Sequence, residues 1–353
     1  MRYIIYGAGG IGGGIGGRLS EAGHDVVLIC RGAHLEAIQR DGLLLRSPEG
    51  EVRVPVPAVG HPREITFMPD DVVILTMKTQ DTEGALRDLE ASGGAGVPIV
   101  CAQNGVENER LAARRFARVY GMLVAMPATF LTPGEVVIEG TPLTGVLHAG
   151  RYPSGVDDVV ERVCADISAS HMLADADPAV MRLKYTKLLA NLGNGVQVVT
   201  SARWGDTDFD AFMREVRHEA LACYQAAGIE LASQEEYGER VNRHLRIGEV
   251  VGQPRGGSST WQSLVRGHTT LEVDYLNGEI VLLGIRHSVP TPANSVVRRV
   301  ATRIAADGQK PGQHSFAGLR AMVEAERAGQ AVATQRPPQL GSLPSPSSHR
   351  RRC

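Results

Sequence analysis

The chain has no pair of cysteines close enough in sequence to share a metal or form a redox couple. Cys30, Cys101, Cys164, Cys223 and Cys353 are scattered, so neither a C-x-x-C centre nor a zinc ribbon is expected, and the cysteines in apolar stretches read as small hydrophobes. The eleven histidines show no H-E-x-x-H or related spacing, so no metal site is expected either. No run of eighteen apolar residues occurs, which leaves no candidate membrane span. A formal charge of −2 gives no electrostatic reason to bind nucleic acid or an acidic membrane surface. The first strand signal starts at residue 2, so no leader is expected, and the protein is expected to be cytoplasmic. Its partners should be small molecules and copies of itself, for instance a homodimer formed through a helical domain.

What the chain does have is concentrated at its start. Arg2-Tyr3-Ile4-Ile5-Tyr6 reads as a short buried strand and runs into Gly7-Ala8-Gly9-Gly10-Ile11-Gly12. Strand, G-x-G-x-x-G and an apolar-periodic segment follow in the order of a dinucleotide-binding turn. Gly7 permits the tight turn, Gly9 brings the backbone close to a pyrophosphate, and Gly12 lets helix and strand pack while the helix N-terminus faces the anion. The pattern is also satisfied by Gly12-Gly13-Gly14-Ile15-Gly16-Gly17, but only the first copy directly follows a strand. A second apolar strand, Asp25 to Cys30, ends where an acidic residue would hold an NAD ribose. Cys30 and Arg31 stand there instead, which points to NADP(H), with Arg31 either pairing with a 2′-phosphate or standing as an ordinary solvated arginine.

The chain is long enough for two domains. A helix is predicted over 33 to 40, a hairpin over 43 to 46 and 51 to 56, and strands over 71 to 76, 97 to 102, 118 to 124, 135 to 139 and 143 to 149, with a helix over 155 to 168. Lys78 and Asn104 both follow carboxyl ends of predicted strands, where ligands bind in doubly wound sheets. Lys78 either reaches cofactor or substrate or is an exposed loop lysine, and Asn104-Gly105 either grips a ligand or is a plain turn. From Asp177 the pattern becomes helical, over 178 to 200, 208 to 227, 234 to 249, 258 to 284 and 292 to 306. The expected organisation is therefore an α/β chain with a doubly wound Rossmann-type domain over 1–176 and a mostly α-helical domain over 177–308. An extension over 309–353 should be disordered from about 330, where too few apolar residues remain to offset ordering entropy.

In the helical domain, Lys187, Asn191 and Asn194 fall at i, i+4 and i+7 on one face of a helix whose leucines say it is buried. Such a polar stripe calls for partners, and a ligand is the economical one. Ser258-Ser259 with Gln262 and the stretch Glu272 to Gly278 add hydroxyls and a carboxylate that could complete a site.

Taken in order, the glycine turn, Lys78, Gln103-Asn104-Gly105, Lys187-Leu188-Leu189-Ala190-Asn191, Ser258-Ser259 with Gln262, and Glu272-Val273-Asp274-Tyr275-Leu276-Asn277-Gly278 resemble the ketopantoate reductases, relatives of the 6-phosphogluconate dehydrogenase superfamily, over about residues 1 to 305. The resemblance implies NADPH-dependent reduction of ketopantoate to pantoate. It implies Lys187 as general acid with Glu272 beside it holding that lysine charged and aimed. It further implies Asn104, Asn191, Asn194 and Ser259 as substrate-binding residues, and Gly7, Ala8, Gly9, Gly10, Ile11, Gly12, Arg31, Lys78 and Asn104 on the cofactor side. Three positions depart from the family pattern. Gly195 holds the i+8 place of a second asparagine, and Asn194, at i+7, would point about 100° away on one continuous helix. Leu271 intervenes between Thr270 and Glu272, and Trp261 stands where a small apolar residue is usual. Two other readings are a related NADP-dependent dehydrogenase acting on another branched or hydroxylated 2-oxo acid, and a non-catalytic NADP(H)-binding sensor.

Overall fold

A computed structural model describes residues 1–252, 258–265, 267 and 269–335. Its first strand, β1 (Arg2–Tyr6), alternates so that Tyr3 and Ile5 enter one core while Ile4 and Tyr6 enter another on the opposite face, as the two-residue period of a strand requires. After α1 (Gly10–Glu21), β2 (Asp25–Ile29) pairs parallel with β1. Then come α2 (Gly32–Asp41), the hairpin β3 (Leu43–Ser47) and β4 (Gly50–Val54), and the short β5 (Ala58–Val59). The chain next crosses to the other side of β1. There β6 (Asp71–Leu75), α3 (Thr79–Leu89), β7 (Ile99–Cys101), α4 (Asn108–Ala113) and β8 (Val119–Met122) extend the sheet.

Three short strands, β9 (Ala128–Thr129), β10 (Glu135–Ile138) and β11 (Gly140–Pro142), precede β12 (Ala149–Arg151), which pairs antiparallel with β8. The strand predicted over 143 to 149 is thus a ladder at 149–151 with an isolated bridge from Val146 to Ala125. The main sheet has seven strands in the order β12-β8-β7-β6-β1-β2-β5. Its strand order reverses between β1 and β6, and their carboxyl ends open a crevice there. Helix α5 (Asp158–Ser168) returns Val160, Val163 and Ile167 to the first core.

A second sheet, β4-β3-β10-β9, lies on the far side of α1, and this settles the ambiguous glycine register. A side chain at Gly13 would meet Val136 at 2.7 Å, at Gly16 Leu28 at 2.6 Å, at Gly17 Leu45 at 2.8 Å, and at Gly14 Met126. The later glycines serve to squeeze one helix between two sheets. The crevice is served by the first copy.

The helical part comprises α6 (Val180–Asn191), α7 (Gly193–Thr200), α8 (Thr207–Ala227), α9 (Gln234–Arg240), β13 (Leu245–Ile247), α10 (Ser259–Val265), α11 (Asn277–His287), α12 (Pro292–Ala306) and α13 (Phe316–Gln335). Phe209, Phe212, Val216, Ile280 and Val297 lie at the centre of its core. Two long helices expected from periodicity are broken. The one over 234 to 249 stops at Arg240 because β13 pairs antiparallel with β11 of the first half, so tertiary pairing overrides local preference. The one over 258 to 284 divides into α10 and α11, parted by extended Leu271 and a 3₁₀ turn over Glu272–Tyr275. The extension after 308 also carries α13, whose Leu319 and Val323 are buried against the same core. Phe316, Leu319 and Val323 make a two-turn apolar stripe, too short to stand out from a polar surround. The helix runs on to Gln335, past the residue 330 at which disorder was expected, and residues 336–353 lie outside the described residues. Among the described residues no helix is long and apolar enough to cross a membrane.

Candidate active site

A cleft of about 1270 Å³ runs from the glycine turn to the loop before α8 and is lined by residues of both halves. At its first end Gly7 has φ of +102°, and a side chain there would meet the Met77 backbone nitrogen at 2.7 Å, so this turn needs glycine. Nothing lies within 4 Å of where a Gly9 side chain would stand. Ala8, Gly9, Gly10 and Ile11 line the cleft, and α1 begins at Gly10 with its N-terminus there. An open cradle of backbone at the N-terminus of a twelve-residue helix fits a pyrophosphate. Gly12 does not line the cleft. A side chain on it would meet the Gly7 carbonyl oxygen at 2.5 Å and Thr76 Oγ1, so it seats the helix on the strand end. Arg31 lines the cleft at the end of β2, is exposed, and makes no ion pair with a carboxylate among the described residues, which fits a 2′-phosphate.

Sequence reading missed His34. Buried in α2, it accepts a hydrogen bond from the Gly134 N–H at Nδ1 (2.8 Å) and donates from Nε2 to the Ala8 carbonyl (2.7 Å). Burial lowers its pKa, keeping the neutral form that can do both. It fixes the glycine turn from behind. Nothing in its sequence surroundings announces this, because both partners are backbone groups far along the chain.

At the middle of the cleft Lys187, on α6, donates from Nζ to Asn104 Oδ1 at 2.7 Å and to the Val124 carbonyl. Burial, followed by the Lys184 charge, lowers its pKa to about 7, while Glu272 acts in the opposite sense. Glu272 is buried at the 3₁₀ turn, yet its hydrogen bonds go elsewhere. Lys78 Nζ donates to its Oε2 at 2.6 Å, and Thr79 donates from both N–H and Oγ1 to its Oε1 at 3.3 Å. This corrects the expectation that Glu272 aims Lys187, while its charge still favours the protonated form of that lysine, as expected. Asn104 and the Val124 carbonyl hold the Lys187 ammonium, and the carboxylate instead sits at the N-terminus of α3, where the helix dipole favours it. The post-strand lysine is therefore a partner of the carboxylate, linking the two halves across the cleft.

The polar stripe on α6 is only partly realised. Asn194 lines the cleft and Asn191 does not, although Asn191 Oδ1 is buried with no hydrogen-bond partner among the described residues. Leu192, between α6 and α7, keeps a helical backbone conformation, so Asn194 at i+7 stays close to the face of Lys187 and lines the cleft. Gly195 faces inward, where a side chain would meet Val297 and Asn277 at 2.7 Å. The asparagine common at i+8 has no room. Gln197 was also missed: it lines the cleft, and its Oε1 is buried without a partner among the described residues. Leu271 is accommodated by turning into the helical core while Glu272 turns to Lys78. Ser258, Trp261 and Gln262 line the cleft along with Trp204. Ser259 opens α10, but its side chain lies outside the described residues. No cluster of three or more potential metal ligands occurs among the described residues.

Comparison with known proteins agrees with this geometry. The family described as ketopantoate reductase PanE/ApbA matches residues 3–153, and its C-terminal counterpart matches residues 179–305. A 2-dehydropantoate 2-reductase of Pyrococcus horikoshii is 26% identical over 299 residues, covering 83% of this chain and 94% of that protein. One from Mesorhizobium japonicum is 27% identical over 332 residues, covering 87% and 98%. The crystal structure of a PanE/ApbA family ketopantoate reductase from Ralstonia eutropha superposes with a TM-score of 0.73 at 28% identity, covering 87% of this chain and 99% of that one. A ternary structure of D-mandelate dehydrogenase with NADH and anilino(oxo)acetate shares the fold, with a TM-score of 0.74 at 22% identity and coverage of 87% and 99%.

Proposed function

Because the chain belongs to the ketopantoate reductase family, we propose that it reduces 2-dehydropantoate (ketopantoate) to pantoate with Lys187 as the proton donor. The chain is an NADP(H)-dependent oxidoreductase of 2-oxo acids. The observation that carries the finer reading is the setting of Lys187. An ammonium has three protons to donate, two are taken by Asn104 and Val124, and the third is left for an oxygen in the cleft.

NADPH, when bound, supplies the hydride that forms the new C–H bond at C2 of the substrate. As the C2 carbonyl π bond breaks toward oxygen, Lys187 transfers its third proton to that oxygen, forming the hydroxyl and leaving a neutral amine that regains a proton from solvent. Its low pKa makes this transfer easier than it is for an exposed lysine. Asn104 fixes the direction of the donated proton, and Lys78, held by Glu272, keeps a positive charge beside the developing negative charge and the substrate carboxylate. Asn194, Asn191 and Ser259 remain the proposed contacts to the rest of the substrate, and Arg31 the contact to the 2′-phosphate.

A second reading, reduction of another branched or hydroxylated 2-oxo acid, is favoured by the inward-facing Gly195, the buried free amide oxygen of Gln197, and Trp204 and Trp261 in the cleft wall. NADPH oxidation measured with ketopantoate, with 2-oxo acids lacking its hydroxyl, and with bulkier aromatic 2-oxo acids separates the two. A kcat/KM highest for ketopantoate supports the first reading. Equal values, or a preference for the bulkier acids, would replace it with the second. The expected homodimer would use the outer faces of α8 and α11, where Leu221, Leu282 and Ile285 are exposed, and sedimentation in solution as a monomer would remove it.

A further inference from the structure

One turn before Lys187, α6 carries a second lysine that the chemistry above leaves unused. Lys184 is buried, its side chain 2% exposed, in a helix otherwise packed through Leu183 and Leu188. Its Nζ donates to the carbonyls of Gln103 (3.0 Å), Met122 (3.1 Å) and Cys101 (3.3 Å), and it pairs at 2.6 Å with Glu109, whose side chain is fully buried. Burying an ion pair this completely costs more than an apolar pair of the same size would.

The acceptors explain where the pair acts. Lys184 grips the ends of β7 and β8 through Cys101, Gln103 and Met122, and Lys187 grips the next positions along the same two strands through the Asn104 side chain and the Val124 carbonyl. Two ammonium groups one helical turn apart thus sit side by side on one rim. The charged groups around Lys187 are Lys184 on its own helix, Lys78 after β6 and Glu272 before α11. Behind Lys184 stand Glu109 on α4 and the buried Cys101 thiol of β7.

We propose that Lys184, anchored by Glu109, is a positioning residue for the reduction: it fixes the carbonyl rim to which Lys187 is tied, and it sets an ammonium beside that of Lys187. The proposal rests on the reading of Lys187 as proton donor. Lys184 is among the causes that lower the Lys187 pKa, second to burial, and the like-charge repulsion has the right sign.

The test is the pH dependence of kcat/KM for ketopantoate, measured on the full chain at saturating NADPH. In wild type the rate should fall above about pH 7, as Lys187 loses its proton. The neutral pair K184M/E109Q removes the repulsion without leaving a buried charge alone, and should move that basic limb upward by about one pH unit. K184R keeps a cation at this position and should leave the limb near its wild-type place, so the two variants differ. A folded K184M/E109Q whose limb stays in place would overturn the proposal, as would a K184R limb that moves up as far as that of the neutral pair. Should that double variant not fold, K184Q/E109Q takes its place with the same expected rise. Activity retained by K187A, or a wild-type profile with no basic limb, would instead defeat the reading of Lys187, and this proposal with it.

Discussion

The two ends of the cleft are built in opposite ways. The glycine turn is made by one continuous stretch, β1, Gly7 to Gly12 and α1, and its chemistry is almost entirely backbone: an open Gly9, a positive φ at Gly7 and a helix N-terminus. The lysine end is made by side chains from four distant segments, Lys78, Asn104, Lys187 and Glu272, each placed by a different element. The first is complete within one stretch of chain. The second exists only when the two halves are docked, with the Lys78–Glu272 ion pair spanning residues 194 apart in sequence. Damage to the first end should therefore be read in cofactor affinity and stability, and damage to the second in turnover.

Four substitutions probe that division, in order of expected effect. Removing the donor with K187A should lower kcat/KM for ketopantoate on the order of 10³-fold while leaving the NADPH dissociation constant within about twofold, readable by fluorescence titration beside steady-state rates. E272Q should cost on the order of 10²-fold in kcat, since Lys78 loses its charged anchor and drifts. An effect on NADPH KM alone would move Glu272 to the cofactor end. G12A forces a methyl group against the Gly7 carbonyl and Thr76. It should lower stability by about 1–3 kcal/mol and raise the KM for NADPH more than it lowers kcat, as thermal melts and kinetics together would show. R31D should shift preference from NADPH toward NADH by about tenfold, and equal loss of both would remove Arg31 as the phosphate contact.

The same division governs what could be read from the sequence. The crevice end was legible because its determinants are neighbours in the chain and glycine spacing reports backbone shape directly. Lys187 and Glu272 could be picked out, but their relation could not: that Glu272 binds Lys78 and Thr79 depends on how a 3₁₀ turn before α11 meets the end of β6. Lys184 hid for a related reason. In the sequence it is a charged residue in a polar run, and only the carbonyls of β7 and β8 and the carboxylate of Glu109 make it a buried one. The break of the 234 to 249 helix followed from pairing with β11, about a hundred residues earlier by position, which no local pattern encodes.

Lys187 is the proposed proton donor, and burial lowers its pKa to about 7. Because its folded-state pKa is depressed, the protonated, donating form is full below about pH 7 and is lost above it. The decisive measurement is kcat/KM for ketopantoate reduction at saturating NADPH from pH 6 to 9.5, for wild type and for K187R, whose guanidinium stays charged throughout. The account predicts a wild-type rate that falls about tenfold per pH unit above its apparent pKa, and a lower K187R rate with no such fall. A wild-type rate that is level across the range, or an identical fall in K187R, would contradict it.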